Sequence, residues 1–137
     1  MKDNKYILGI ETSCDDTSVA ILKGDKVLCH LNFGQEEELK EWGGVVPEIA
    51  ARNHLSKITP IIKEAFETAK IKPKDLDLIS VTTFPGLLGP LLTGLNAAKT
   101  LSLLFKKPIL PVNHLYAHVL AIHLSQKVEY PFLSLLI

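Results

Sequence analysis

The stretch YILGIETSCDDTSVAIL, residues 6–22, holds two apolar runs joined by a short acidic turn. Its first part, YILGIETS (6–13), is apolar and β-prone, which predicts a strand. CDD (14–16) turns the chain, and TSVAIL (17–22) resumes the strand pattern. KGDK (23–26) puts Gly24 and Asp25 in a hairpin turn, and VLCHLNF (27–33) alternates well enough for a third strand. An antiparallel meander therefore opens the domain.

Downstream the pattern changes period. Residues 34–44 (GQEEELKEWGG) are polar and glycine-bounded, as a mobile loop is. Beyond them Ile58, Ile61, Ile62, Ala65, Phe66 and Ala69 recur at helical intervals, an amphipathic stripe for a helix over 47–70. Pro47 suits its first turn, whereas Pro60 predicts a kink or a split in two. LDLISVTT (76–83) reads as a buried strand, FPGLLGP turns, and Pro90 opens a second helix over 90–105. Its small residues Gly94, Ala97 and Ala98 would let another helix approach closely. PILPV (108–112) predicts a short strand, HLYAHVLAIHL (114–124) a helix and PFLSLLI (131–137) a last buried strand. Three antiparallel strands followed by β-α-β-α-β crossovers make an α/β domain with a mixed sheet.

The 137 residues suit one domain or one lobe of something larger, and 47% apolar content is enough to bury a core. A chain that stops inside an apolar strand is expected to continue into a second half. Formal net charge is zero, so nucleic-acid binding needs a local patch or a partner rather than a general basic field. Cys14 and Cys29 form no metal-like pair, and so few cysteines suit a reduced, cytoplasmic setting. No apolar run reaches the roughly 18 residues of a membrane span, and the N-terminus lacks the apolar core of a signal peptide.

Three groups of residues carry chemical potential. Thr12, Ser13, Asp15 and Asp16 sit at the first turn. The hydroxyls suit phosphate oxygens and the carboxylates suit a metal or a proton, although a polar hairpin turn favours the same residue types. Gly86 and Gly89 lie where a strand gives way to a helix N-terminus, an anion-binding arrangement, but Pro-Gly is also an ordinary turn. His114 and His118 are four apart on one helix face and can share a metal, or they can be half-buried histidines bonded to backbone or water. His123 points nearly opposite His114. No Glu follows His114, which excludes the HExxH hydrolytic helix. Two ligands make half a site.

Taken together and in order, ILGIETSCDDTSVAI, GGVVPEIAARNHL, PGLLGPLLTG..AAK and VNHLYAH resemble the TsaD family, once described as O-sialoglycoprotein endopeptidases. The resemblance implies the actin-like ATPase fold (ASKHA, ribonuclease H-like), with residues 1–137 as the N-terminal lobe and the C-terminal lobe absent. It implies transfer of a threonylcarbamoyl group from threonylcarbamoyl-AMP to N6 of adenosine 37 in tRNAs reading ANN codons. It makes His114 and His118 ligands to iron, or failing that zinc, with a third aspartate ligand in the missing half. Asp15 and Asp16 become the catalytic acidic pair, and Thr12 and Ser13 the phosphate-facing turn. The implied partners are tRNA, TsaB-like and TsaE-like proteins, or a second copy through the helices at 47–70 and 90–105, with Gly94 and Ala98 at the contact. The fragment by itself is expected to be inactive.

Three departures from the family pattern stand out. Asp16 replaces the usual Glu, Tyr116-Ala117 replace Glu-Gly between the histidines, and Phe84 replaces the first glycine of a Gly-Pro-Gly turn. HLYAH also resembles the His-x-x-Ala-His helix of O-carbamoyltransferases of the same superfamily. A TsaB-like scaffold would lack the histidine pair, and an actin-like sugar or acetate kinase would need a second lobe and no such pair.

Overall fold

A computed structural model describes residues 4–136. Its sheet has five strands: β1 (Tyr6–Glu11), β2 (Thr17–Lys23), β3 (Lys26–Phe33), β4 (Leu78–Phe84) and β5 (Ile109–Asn113). The order is β3-β2-β1-β4-β5. β1 pairs antiparallel with β2, and β2 with β3, as the meander requires. β1 also runs parallel to β4, and β4 to β5, so the sheet is mixed. This is the α/β architecture expected of an actin-like lobe.

Strand alternation gives each face its character. Leu8, Ile10, Val19, Ile21, Ile79 and Val81 are buried on one face under two long helices. These are α2 (Pro47–Ala69) and α3 (Leu88–Phe105), following the short α1 (Glu36–Leu39). The opposite face carries Gly9, Ser18, Ala20 and Ser80, and Ala117 of α4 (His114–Leu120) reaches its upper end.

Several sequence expectations need correction. Residues 34–44 are not a free loop: α1 is followed by a tight turn at Lys40–Trp42. Leu39 is 3% exposed and Gln35 1%. Asn53 of α2 donates to Gln35 Oε1 at 3.1 Å and Glu38 Oε2 at 2.8 Å, so one apolar anchor and two amide bonds hold a charged run in place.

Pro60 does not split α2. It lies on the exposed face, where water can satisfy the carbonyl it leaves unbonded, and buried Ile58 and Ile61 flank it. Burying side chains such as Ile58, Ile61 and Phe66 contributes about 1.5–3 kcal/mol each, which outweighs the roughly 3 kcal/mol of an interior proline.

α3 starts two residues before Pro90, whose missing N–H falls in the first turn where no intrahelical partner exists. Gly94 faces Thr12 and Ile10 rather than another helix, since a Cβ there would lie 2.5 Å from Thr12 Oγ1, and Ala98 is fully buried in the core it shares with Ile58 and Ile61 of α2. Gly94→Ala should therefore destabilise the protein by about 1–3 kcal/mol despite a better helix propensity, because the Thr12 hydroxyl is driven off its buried bond. A urea midpoint equal to that of the parent protein would contradict this.

Downstream of α3, α4 ends at Leu120 and gives way to a tighter turn at Ala121–Leu124, so His123 is not on the expected longer helix. Residues 131–136 form no strand, and Leu133 is 98% exposed. An apolar run becomes a strand only where an edge accepts its hydrogen bonds, and these residues pair with none of the five strands. Ile137 lies outside the described residues.

Candidate metal and carboxylate site

The parallel pairing of β1, β4 and β5 brings their C-terminal ends to one edge of the sheet, where ligands of open α/β sheets bind. Three segments meet there: the turn after β1 with Glu11 to Asp16, the Phe84–Leu87 turn after β4, and His114 directly after β5. A cleft of about 620 Å³ opens between the first and the third of these, lined by Glu11, Ser13, Cys14, Asp15, Asp16, His30, His114 and His118 among others.

The turn is held from behind. His54 of α2 is fully buried. Its Nε2 lies 3.0 Å from the Cys14 carbonyl and its Nδ1 2.7 Å from Thr17 Oγ1. A carbonyl only accepts, so Nε2 carries the proton and the Thr17 hydroxyl donates to Nδ1. Thr12, 1% exposed, donates to the Pro90 carbonyl at 2.8 Å and does not line the cleft. Ser13 does line it, with its Oγ 3.1 Å from His114 Nδ1. On the other side, the Leu87 N–H donates to the Ser13 carbonyl at 2.8 Å.

The acidic pair divides. Asn32 of β3 donates to Asp16 Oδ2 at 3.1 Å, and Ser18 in turn donates to Asn32, so Asp16 is tied toward the meander. Asp15 lines the same cleft beside Cys14. Burial, and then the Asp15 carboxylate, push the Cys14 thiol above its ordinary range. Both effects disfavour the free thiolate.

The histidines meet as the spacing predicted. Asn113 caps α4, accepting from the Tyr116 N–H at 3.0 Å, and so fixes the first turn that carries both rings. His114 Nε2 and His118 Nε2 lie 3.0 Å apart, with the rings edge-on at 83°. Two imidazole nitrogens about 2.0–2.1 Å from one tetrahedral zinc would be roughly 3.3 Å apart, so the pair fits a shared metal with little movement. His123 is elsewhere, 2.6 Å from the Tyr130 hydroxyl and close to Phe132. Among the described residues, no three His, Cys, Asp or Glu side chains gather as a complete ligand set.

His30, Asn32, His54 and Glu11 lie outside the three groups that the sequence patterns mark, yet they belong to this site or hold it. Glu11 Oε1 stands 3.3 Å from His114 Nδ1 and accepts the Ser13 N–H at 2.8 Å. A signal for it existed: Glu11 is a carboxylate ending an otherwise apolar strand, one step out of phase with Leu8 and Ile10.

Known proteins resemble the chain at both levels. The family model described as TsaD: tRNA N6-adenosine threonylcarbamoyltransferase matches residues 26–137. The tRNA N6-adenosine threonylcarbamoyltransferase of Staphylococcus epidermidis is 48% identical over 138 aligned residues, covering 100% of this chain and 41% of that protein. The protein of the same name from Thermosipho melanesiensis is 48% identical over 132 residues, 96% of this chain and 41% of its own length. The chain thus spans about two fifths of the length of the curated relatives it matches. Among solved structures, YeaZ from Pseudomonas aeruginosa superposes with a TM-score of 0.62 at 18% identity, over 80% of this chain and 44% of that one, a likeness of fold alone. The match of the family model over residues 26–137, together with 48% identity to curated relatives along the whole chain, places the chain in the TsaD family of tRNA N6-adenosine threonylcarbamoyltransferases.

Proposed function

We propose that this chain supplies the metal-binding lobe of an enzyme that transfers threonylcarbamoyl from threonylcarbamoyl-AMP to N6 of adenosine 37 in tRNA. The observation that carries the reading is the convergence of His114 Nε2 and His118 Nε2, 3.0 Å apart, on a cleft that also holds Asp15 and Asp16. In this reading the two histidines hold iron or zinc, with a carboxylate from outside the matched two fifths as third ligand. A metal bound there supplies Lewis-acid polarisation of phosphate or carbonyl oxygens. Asp15 and Asp16 orient the attacking amine and accept its proton, and the bond from Asn32 sets the direction of Asp16. Ser13 faces the nucleotide phosphate, while Thr12, whose hydroxyl is spent on Pro90, shapes the turn.

Partners enter through the outer helix face. A groove of about 440 Å³ runs between α2 and α3, with Leu55 69% and Leu92 45% exposed along it. A TsaB-like protein, or a second copy, packs there in this reading, with TsaE-like protein and tRNA joining the assembly. Among the described residues, no helix is long and apolar enough to cross a membrane.

A chimera tests the reading: residues 1–137 joined to the remaining length of the S. epidermidis relative, incubated with partners, tRNA and threonylcarbamoyl-AMP. Modified adenosine, detected by nucleoside mass spectrometry, is expected from the chimera and not from the 137-residue chain alone. A soluble chimera that binds zinc yet modifies no tRNA would count against it.

A further inference from the structure

The two ring nitrogens of His114 face different groups. Nε2 meets His118 Nε2 at 3.0 Å, whereas Nδ1 faces Glu11 Oε1 at 3.3 Å and Ser13 Oγ at 3.1 Å. Glu11 therefore lies on the wrong side of the ring to be a third ligand at the point the two Nε2 atoms share. We propose that Glu11 is a positioning residue: its carboxylate holds His114 as the Nδ1–H tautomer and so turns the Nε2 lone pair toward His118. The inference deepens the metal reading given above.

The alternatives are limited by donors and acceptors. In the Nε2–H tautomer the Ser13 hydroxyl would donate to Nδ1, and Nε2–H would donate to His118, giving a closed pair with no lone pair for a ligand. That arrangement sets the Nδ1 lone pair against a carboxylate oxygen, and the two repel. An ionised carboxylate only accepts, so its charge 3.3 Å from Nδ1 favours that nitrogen as a donor, with Ser13 Oγ as the hydrogen-bond partner at 3.1 Å. Glu11 is itself fixed. It ends β1, with its side chain 31% exposed, and Oε1 is held by the Ser13 N–H at 2.8 Å. Carboxylates bonded to the far nitrogen of a ligating histidine commonly set tautomer and ring direction in this way.

Glu11→Gln separates this role from a structural one. Glutamine keeps Oε1, the one oxygen that faces both the Ser13 N–H and Nδ1, so the turn is retained while the negative charge beside Nδ1 is removed. In metal-free chain at about pH 8, nitrogen NMR of the His114 ring should report Nδ1–H in the parent. The Glu11→Gln ring should shift toward Nε2–H. Zinc affinity, titrated against a chromophoric chelator, should fall about 10- to 100-fold. An unchanged His114 tautomer in Glu11→Gln overturns the proposal, and so does unchanged zinc affinity in a variant whose tautomer has shifted. If the parent chain takes up no zinc but the tautomer still responds to Glu11→Gln, the metal reading fails and the positioning role stands.

Discussion

His114→Ala and His118→Ala should each weaken zinc binding by about 10²- to 10⁴-fold, while His123→Ala leaves it within twofold. The expectation follows from chelation. Two imidazoles on one rigid turn act as a linked pair, and removing either leaves a single exposed imidazole with no advantage over one in solution. The 3.0 Å separation of the Nε2 atoms shows that little rearrangement is needed to form the pair. His123 is engaged with Tyr130 and Phe132 and lies outside the cleft, so its loss costs local packing and no ligand. Isothermal titration of zinc into the three variants measures this directly, and the same substitutions in a full-length chimera should abolish or spare transfer in the same order. Equal losses in all three variants would mean that zinc is bound by scattered surface imidazoles instead.

Gly86→Ala should be among the most damaging single-methyl additions in the protein, costing about 3–5 kcal/mol. A Cβ at Gly86 would sit 2.6 Å from the Ser13 carbonyl oxygen, 2.8 Å from Ser13 Cβ and 3.1 Å from Ser13 Cα. Two of those three atoms are backbone and cannot rotate away. The turn after β4 must therefore withdraw from the turn after β1, which breaks the Leu87–Ser13 hydrogen bond and moves Ser13 from His114. Overpacking of this kind costs about 1–3 kcal/mol, and a buried backbone group left unpaired costs a similar amount again. Against the total of about 5–15 kcal/mol usual for a domain, that is a large fraction. Gly44→Ala is the control, since nothing lies within 4 Å of a Cβ there. Equal urea midpoints for the two variants would refute the account, and a retained zinc affinity in Gly86→Ala would show that the two turns move independently.

Gly86 also illustrates how much of the site the chain reveals before it folds. As Pro-Gly at a strand end it looks like an ordinary turn or a weak anion site. Its role is different: a missing side chain lets two loops touch, and only the neighbouring loop reveals that. Gly94 teaches the same lesson, since its smallness admits Thr12 rather than another helix. The departure at Phe84 is easier to place, because that side chain ends β4 and is 56% exposed, away from the packed contact.

The residues by themselves determined the local periods: the meander, the buried stripe of α2, the helical spacing that puts His114 and His118 on one face, and the acidic turn at Asp15 and Asp16. Each depends on neighbours within one or two turns of chain, so pattern and propensity suffice to read it. Tertiary structure alone decided which strand lies beside which. By setting β1 parallel to β4 and β4 to β5, it placed Glu11 and Ser13 against His114, across 101 positions of sequence in the case of Ser13. It also kept α2 whole through Pro60, pinned the charged run at 34–42 onto Asn53, and left residues 131–136 without a strand partner. In each case the deciding energy is burial or pairing with a distant segment, and no local pattern carries the identity of that segment.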